Sequence, residues 1–316
     1  MRRAISGVNP GTYPAVRILT LTMRFLLVIA LALTVLDAAD ALQASGAGPQ
    51  GLQHRYVELK TELGNNAFGR PLHLDSIEGN DRVAGDVHAV VERGFASAAP
   101  ALAQPENWCD ILLLVFNIKQ CRNAGSGLEV SIGRKVDESI ERASVIAFSF
   151  GVANKSSDYL QVRLAANEGP MNTRDYTILL EAVPLADGKT FIHLSYAYGF
   201  GTAGRLAMKT YLATVGSRKV GFSTEGAVGD NAPKYVGGMR GVIERNTMRY
   251  YLAIESFLGA LDNPRRQRFE KASHAWFAAT ERYARQLREM DEAEYFAMKR
   301  KEFARQAQVA ANGERN

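Results

Sequence analysis

The sequence predicts an α+β domain in which an antiparallel strand meander covers one long amphipathic helix. Three observations carry this. Five strand-like segments between Leu128 and Tyr198 are joined by short turns rich in Asn, Gly, Asp and Pro. Residues 242–261 repeat apolar side chains at spacings of three and four. The strands follow one another directly, without the intervening helices that a parallel sheet needs.

Residues 1–41 read as an export signal. In MRFLLVIALALTVLDAADALQA (23–44), a basic Arg24 precedes an apolar run over 25–36, and Ala39-Asp40-Ala41 fits an A-x-A cleavage site. The run is about 12 residues, short of the roughly 20 that span a bilayer. Met23 is a natural start, which makes 1–22 upstream sequence; an uncleaved anchor or a buried helix is the alternative reading. Cleavage after Ala41 would place a mature chain beginning at Leu42 in the periplasm or outside the cell.

About 275 residues follow the signal, enough for one large domain or a domain with an extension. A hydrophobic share of 47% and a charged share of 22% are those of a globular protein. The net charge of +5 is mild; it suits an anionic membrane surface and predicts no nucleic-acid partner. Cys109 and Cys121 are the two cysteines. In an oxidising compartment such a pair bridges, two buried thiols being the alternative. On one continuous helix they would stand about 18 Å apart, beyond the roughly 7 Å that a disulfide allows. A bridge therefore requires the chain to turn between them, most naturally at Asn117.

A small-residue linker over 44–51 leads to a short helix at 52–63, the two filling 42–70. Strands are expected at 70–77 and 82–92 around Glu78-Gly79-Asn80-Asp81. A helix at 95–103 is stopped by Pro105, and the dense apolar run WCDILLLVFN follows at 108–117. The meander has strands at 128–132, 143–153, 159–165, 173–183 and 190–198. Residues 205–215 have helical spacing, a glycine-rich stretch runs over 216–241, and the long helix closes the domain near 262. Residues 263–316 read as a C-terminal helical extension.

GPMNTRDYTILLEAVPLADGKTFIHLSYAY (169–198) carries an Arg174-Asp175-Tyr176 opening to one strand and Ser195 on the next. This stretch, with the order of elements around it, resembles the START-like (SRPBCC, helix-grip) superfamily of lipid-transfer and polyketide-cyclase domains. The resemblance covers about 71–262. It implies a helix-grip fold, with a curved sheet around the long helix and an apolar cavity between them. The stretch between Tyr198 and Val242 is longer than a minimal domain of that kind has.

The cavity-lining set expected on that basis is Trp108, Phe116, Arg174, Tyr176, His193, Tyr196, Tyr198, Asn246, Tyr250 and Ile254. Arg174 has two readings, a cavity group facing a ligand head and a strand-end surface pair with Asp175. His193 and Ser195 share a sheet face and could pair as base and nucleophile, although no G-x-S-x-G surrounds the serine. Asn246 and Thr247 interrupt the apolar helix face and need partners, from a ligand, water or a strand. Gly199–Gly204 spells G-x-G-x-x-G, but a dinucleotide site needs parallel strands beside it, so a turn or lid is the reading here. No zinc spacing or phosphate loop occurs, and neither a metal nor a cofactor is expected. The functional expectation is a binding or carrier protein for a lipid or other apolar small molecule. The rivals are a cyclase- or hydrolase-like enzyme on the same fold, and a non-catalytic envelope protein whose C-terminal helices bind a partner.

Overall fold

The computed structural model describes residues 48–133, 138–202, 204–206, 219–225 and 234–313. The export signal and most of the predicted helix at 205–215 lie outside them.

Helix α1 (Pro49–Gly64) precedes strands β1 (Leu72–Glu78) and β2 (Arg82–Val91). Helices α2 (Phe95–Leu102) and α3 (Pro105–Leu113) connect to β3 (Ile118–Ala124). The meander continues as β4 (Gly127–Ile132), β5 (Ser144–Lys155), β6 (Leu160–Glu168), β7 (Thr173–Pro184) and β8 (Thr190–Phe200). After the short pair β9 (Thr224–Glu225) and β10 (Lys234–Tyr235) come α4 (Gly238–Gly259), α5 (Arg265–Glu281), α6 (Ala284–Leu287) and α7 (Glu292–Gly313).

The eight long strands form one sheet in the order β1-β2-β8-β7-β6-β5-β4-β3, and every neighbouring pair is antiparallel. Register shifts in β3/β4, β5/β6 and β7/β8 mark bulges, which bend a sheet and sharpen its twist. The connection β2-α2-α3-β3 crosses from one side of the sheet to the other, and α4 returns against β1, β2 and β8. This is the helix-grip fold, with β1 added at the edge. The antiparallel neighbours of β8 also exclude a Rossmann unit at Gly199–Gly204.

The predicted helix at 242–261 begins a turn earlier, at Gly238, whose φ of 60° suits a residue without Cβ. It ends at Gly259, two residues earlier than predicted, where the chain tightens into i→i−3 bonds from Ala260 to Phe257 and from Leu261 to Leu258. Its buried face includes Ile243, Thr247, Ile254, Phe257 and Leu258. Thr247 bonds back to the Ile243 carbonyl (2.8 Å) and lies against Gly85 of β2, where a Cβ would stand 2.6 Å from its hydroxyl. Its polar group is thus satisfied within the helix, and Gly85 lets the helix approach the sheet.

The run WCDILLLVFN, left unassigned by periodicity, splits into α3 and a turn, and β3 follows. Residues 114–117 reverse the chain, and Cys109 and Cys121 form a disulfide with Cα atoms 5.0 Å apart. The C-terminal helices pack on this corner. Lys299 of α7 donates to the carbonyls of Val115 and Ile118 (2.7 and 2.9 Å) and to Glu302 (2.8 Å). Phe269, Trp276 and Tyr295 are buried, with Phe269 stacked on Phe303 at 4.2 Å. The apolar stripe of this segment is therefore spent inside the molecule. Among the described residues no helix is long and apolar enough to cross a membrane.

Candidate functional site

Between α4 and the concave face of the sheet lies a cavity of about 160 Å³. Strand alternation aims Tyr176 of β7 and Tyr196 and Tyr198 of β8 into it, and α4 adds Val242, Asn246, Arg249 and Tyr250. Val115, Asn117, Ile132 and Ile146 close the far side, and Pro170, Met171 and Thr173 form the rim. Met171 and Asn172 both take left-handed φ (60° and 59°), so the turn before β7 is strained where it borders the cavity.

The tyrosines form one cluster. Tyr176 stacks on Tyr198 at 5.2 Å, and Tyr196 meets Tyr250 edge-on at 5.1 Å. The Tyr176 hydroxyl shares a hydrogen bond with Thr173 Oγ1 (2.7 Å), and Tyr196 and Tyr250 bond each other. Burial pushes all four phenols above their ordinary range, so each keeps its proton. Arg249 donates to Glu289 (2.5 Å) and to Asn246 Oδ1 (3.3 Å), and its guanidinium lies 4.8 Å over the Phe116 ring. Trp276 Nε1 of α5 donates to the Arg249 carbonyl (3.1 Å). The C-terminal segment thus positions one wall of the cavity.

Of the ten expected residues, Tyr176, Tyr196, Tyr198, Asn246 and Tyr250 meet at the cavity. Phe116 stands behind Arg249. Trp108 and Ile254 are core: Trp108 donates to the Leu102 carbonyl (2.7 Å), and Ile254 is fully buried. Arg174 takes the surface reading, pairing with Asp175 (3.1 Å) at a bulge where Asp175 has a φ of 53°. Sequence reasoning missed Arg249. A charge three residues beyond Asn246 on a helix with an apolar face was the signal for it.

His193 points away from the cavity, to the outer sheet face under α1. The register aligns His73, His88, His193, Glu181 and Gln161 across β1, β2, β8, β7 and β6. His193 lies between Glu181 and Asp86 (2.9 Å each), and His88 stacks on it at 4.3 Å. Ser195 and His193 do face the same way, but both imidazole nitrogens are held by carboxylates, so neither is left to activate the serine. Among the described residues no cluster of three or more metal-ligating side chains is suited to a metal.

This histidine pair predicts a bell-shaped stability profile. Burial pulls the His193 imidazolium down, but the hydrogen bonds and charges of Asp86 and Glu181 outweigh it and raise the pKa from 6.5 to about 9. Its contribution is full below pH 6.5 and is lost as pH rises through about 9, on the order of 3 kcal/mol. Burial, with the neighbouring His193 charge, pushes His88 well below 6.5, so stability also falls as pH drops beneath 6.5. Urea midpoints measured from pH 4 to 10 should peak near neutrality. His193→Gln should flatten the alkaline limb, and an unchanged limb would refute the assignment.

No family model and no curated protein matches the sequence. Solved structures similar to the chain include a START superfamily protein from Mycobacterium smegmatis: 14% identity, 44% of this chain, 93% of that one, TM-score 0.28. Norcoclaurine synthase from Thalictrum flavum is 16% identical over 45% of this chain and 90% of its own, TM-score 0.31. Ara h 8.0201 is 10% identical over 61% and 99%, TM-score 0.32. At these identities the likeness concerns the fold alone.

Proposed function

We propose that this chain is an exported binding or carrier protein that holds a compact part of an apolar small molecule in the cavity between α4 and the sheet. The observation that supports this is a half-open cavity walled by four protonated tyrosines, an asparagine and Arg249. Ligand pockets commonly measure about 300–1,000 Å³, while a cavity near 150 Å³ holds a benzene-sized ring. The 160 Å³ here suits one ring or a similarly compact end of a lipid, and a longer acyl chain would have to displace the rim at Met171. The phenols that are not already donating within the cluster can donate hydrogen bonds to a ligand hydroxyl or carbonyl. The lining contains no carboxylate, imidazole or thiol among the described residues, so acid–base chemistry would fall on phenols that burial keeps protonated. That favours binding over the cyclase- or hydrolase-like reading. Export rests on the signal read at 1–41.

Native mass spectrometry of protein purified from the envelope of its host, with solvent extraction, should find a bound small molecule. Phenol, used as a ring-sized probe, should shift the tyrosine NMR resonances saturably. Val242→Trp fills the cavity from a half-buried position and should abolish both signals while leaving the fold intact. A wild-type protein that carries nothing and gives no saturable shift would end this reading.

A further inference from the structure

A second and larger concavity lies on the other side of α4. It is a groove of about 490 Å³ between the last turns of α4 and the outward face of α5. Lys271, Ala275 and Ala278 of α5 and Arg282, which caps its end, recur at helical spacing and line it together. Lys271 and Arg282 are eleven residues apart, so the groove is about 16 Å long with a cation at each end. The floor between them is small and apolar. Its volume falls in the range of ligand pockets, which the sheet cavity does not reach.

The charge of the groove is not balanced. Lys271 donates to the neutral side-chain oxygen of Asn263 (2.7 Å), and neither Lys271 nor Arg282 has a carboxylate partner among the described residues. Arg70 enters from the segment before β1 and closes the Arg282 end, with its guanidinium 5.9 Å from the Tyr283 ring. Arg70 is paired with Glu255 at 2.5 Å, and Tyr251 donates to the other oxygen of that carboxylate (2.8 Å). The Arg70 Nε–H is buried and has no acceptor among the described residues. The lining therefore carries three cations against one carboxylate, which Arg70 and Tyr251 already occupy.

We propose that this groove is a binding site for a single-chain anionic amphiphile. The acidic head, a carboxylate or a phosphate monoester, meets Arg70 and Arg282. The short apolar chain lies along the alanines of α5 towards Lys271. The site is separate from the sheet cavity and shares no lining residue with it.

Decanoate below its micelle concentration is the probe, titrated into the full-length mature protein by calorimetry. Saturable 1:1 binding is expected, and decanol should bind at least tenfold more weakly. Ala278→Trp fills the groove from an exposed position, and Arg282→Glu reverses a rim charge; each should weaken decanoate at least tenfold at unchanged thermal midpoint. Val242→Trp, which blocks the sheet cavity, should leave decanoate binding unaltered. The proposal is overturned by absent binding, by equal affinity for decanol, or by loss in Val242→Trp with retention in Ala278→Trp. Retention on phosphatidylglycerol vesicles without decanoate binding overturns it too, in favour of a membrane-surface contact.

Discussion

Glu244→Ala is expected to lower the unfolding free energy by about 3–5 kcal/mol, the usual cost of breaking a buried charged network from one side. Glu244 is fully buried on α4 and holds two separate pieces of chain. One carboxylate oxygen accepts from Ser76 of β1 (2.5 Å). The other accepts from the backbone N–H groups of Phe222 and Ser223 (2.6 and 2.9 Å). Arg240 donates to the same Ser76 hydroxyl (2.8 Å), and its Nε stands 3.9 Å from the carboxylate. Gly221 is required beside it, because a Cβ there would lie 2.4 Å from the carboxylate. Alanine would leave two backbone donors and a hydroxyl buried without their acceptor, at about 1–3 kcal/mol each before relaxation. Urea unfolding measures the total, and hydrogen exchange at residues 222–223 locates it. A loss under 1 kcal/mol would show that water replaces the carboxylate.

The second large effect concerns the disulfide. Replacing Cys109 and Cys121 together by alanine should cost about 3 kcal/mol, from the loop entropy returned to the unfolded chain. For a domain of this size that corresponds to a fall of roughly 6–12 °C in the thermal midpoint. The damage should be local before it is global. Asp110, next to Cys109, receives a two-pronged contact from Arg265 of α5 (2.9 and 2.7 Å). Gln306 of α7 accepts from the Cys121 backbone N–H (3.0 Å). The bridge thus steadies the surface on which both C-terminal helices dock. Hydrogen exchange over 265–308 should rise in the double variant before exchange in β6–β8 does. Uniform exchange across the molecule would refute that order.

The consequence for the cavity follows from the same contacts. Arg249 is placed by Glu289 and Trp276, both from the C-terminal segment. Loosening α5 and α7 should therefore disturb the cavity wall without any change in the sheet.

The strands were legible because alternation and turn chemistry are local properties, and each predicted strand of the meander begins or ends within three residues of the observed one. The long helix was legible because its apolar spacing persists over five turns. β3 was not, because IKQCRNA has no clean alternation and becomes a strand by pairing with β4 at the sheet edge. Tyr176, Tyr196, Tyr198, Asn246 and Tyr250 could be named in advance because the resemblance assigned a facing to their elements. Arg174 and His193 could not be placed correctly. A bulge turns Arg174 outward at the start of β7, and the position of His193 depends on which face of β8 the long helix covers. Period-two alternation says that His193 and Tyr196 oppose each other, but not which one is inside. By itself, the sequence determined the antiparallel meander, the long buried helix and the need for a chain reversal between the cysteines, since these follow from local periodicity and bond geometry. Only the tertiary structure decided the volume of the cavity, the burial of Glu244 and the groove between α4 and α5. Those depend on how distant segments pack, and no local pattern records the distance between two helices.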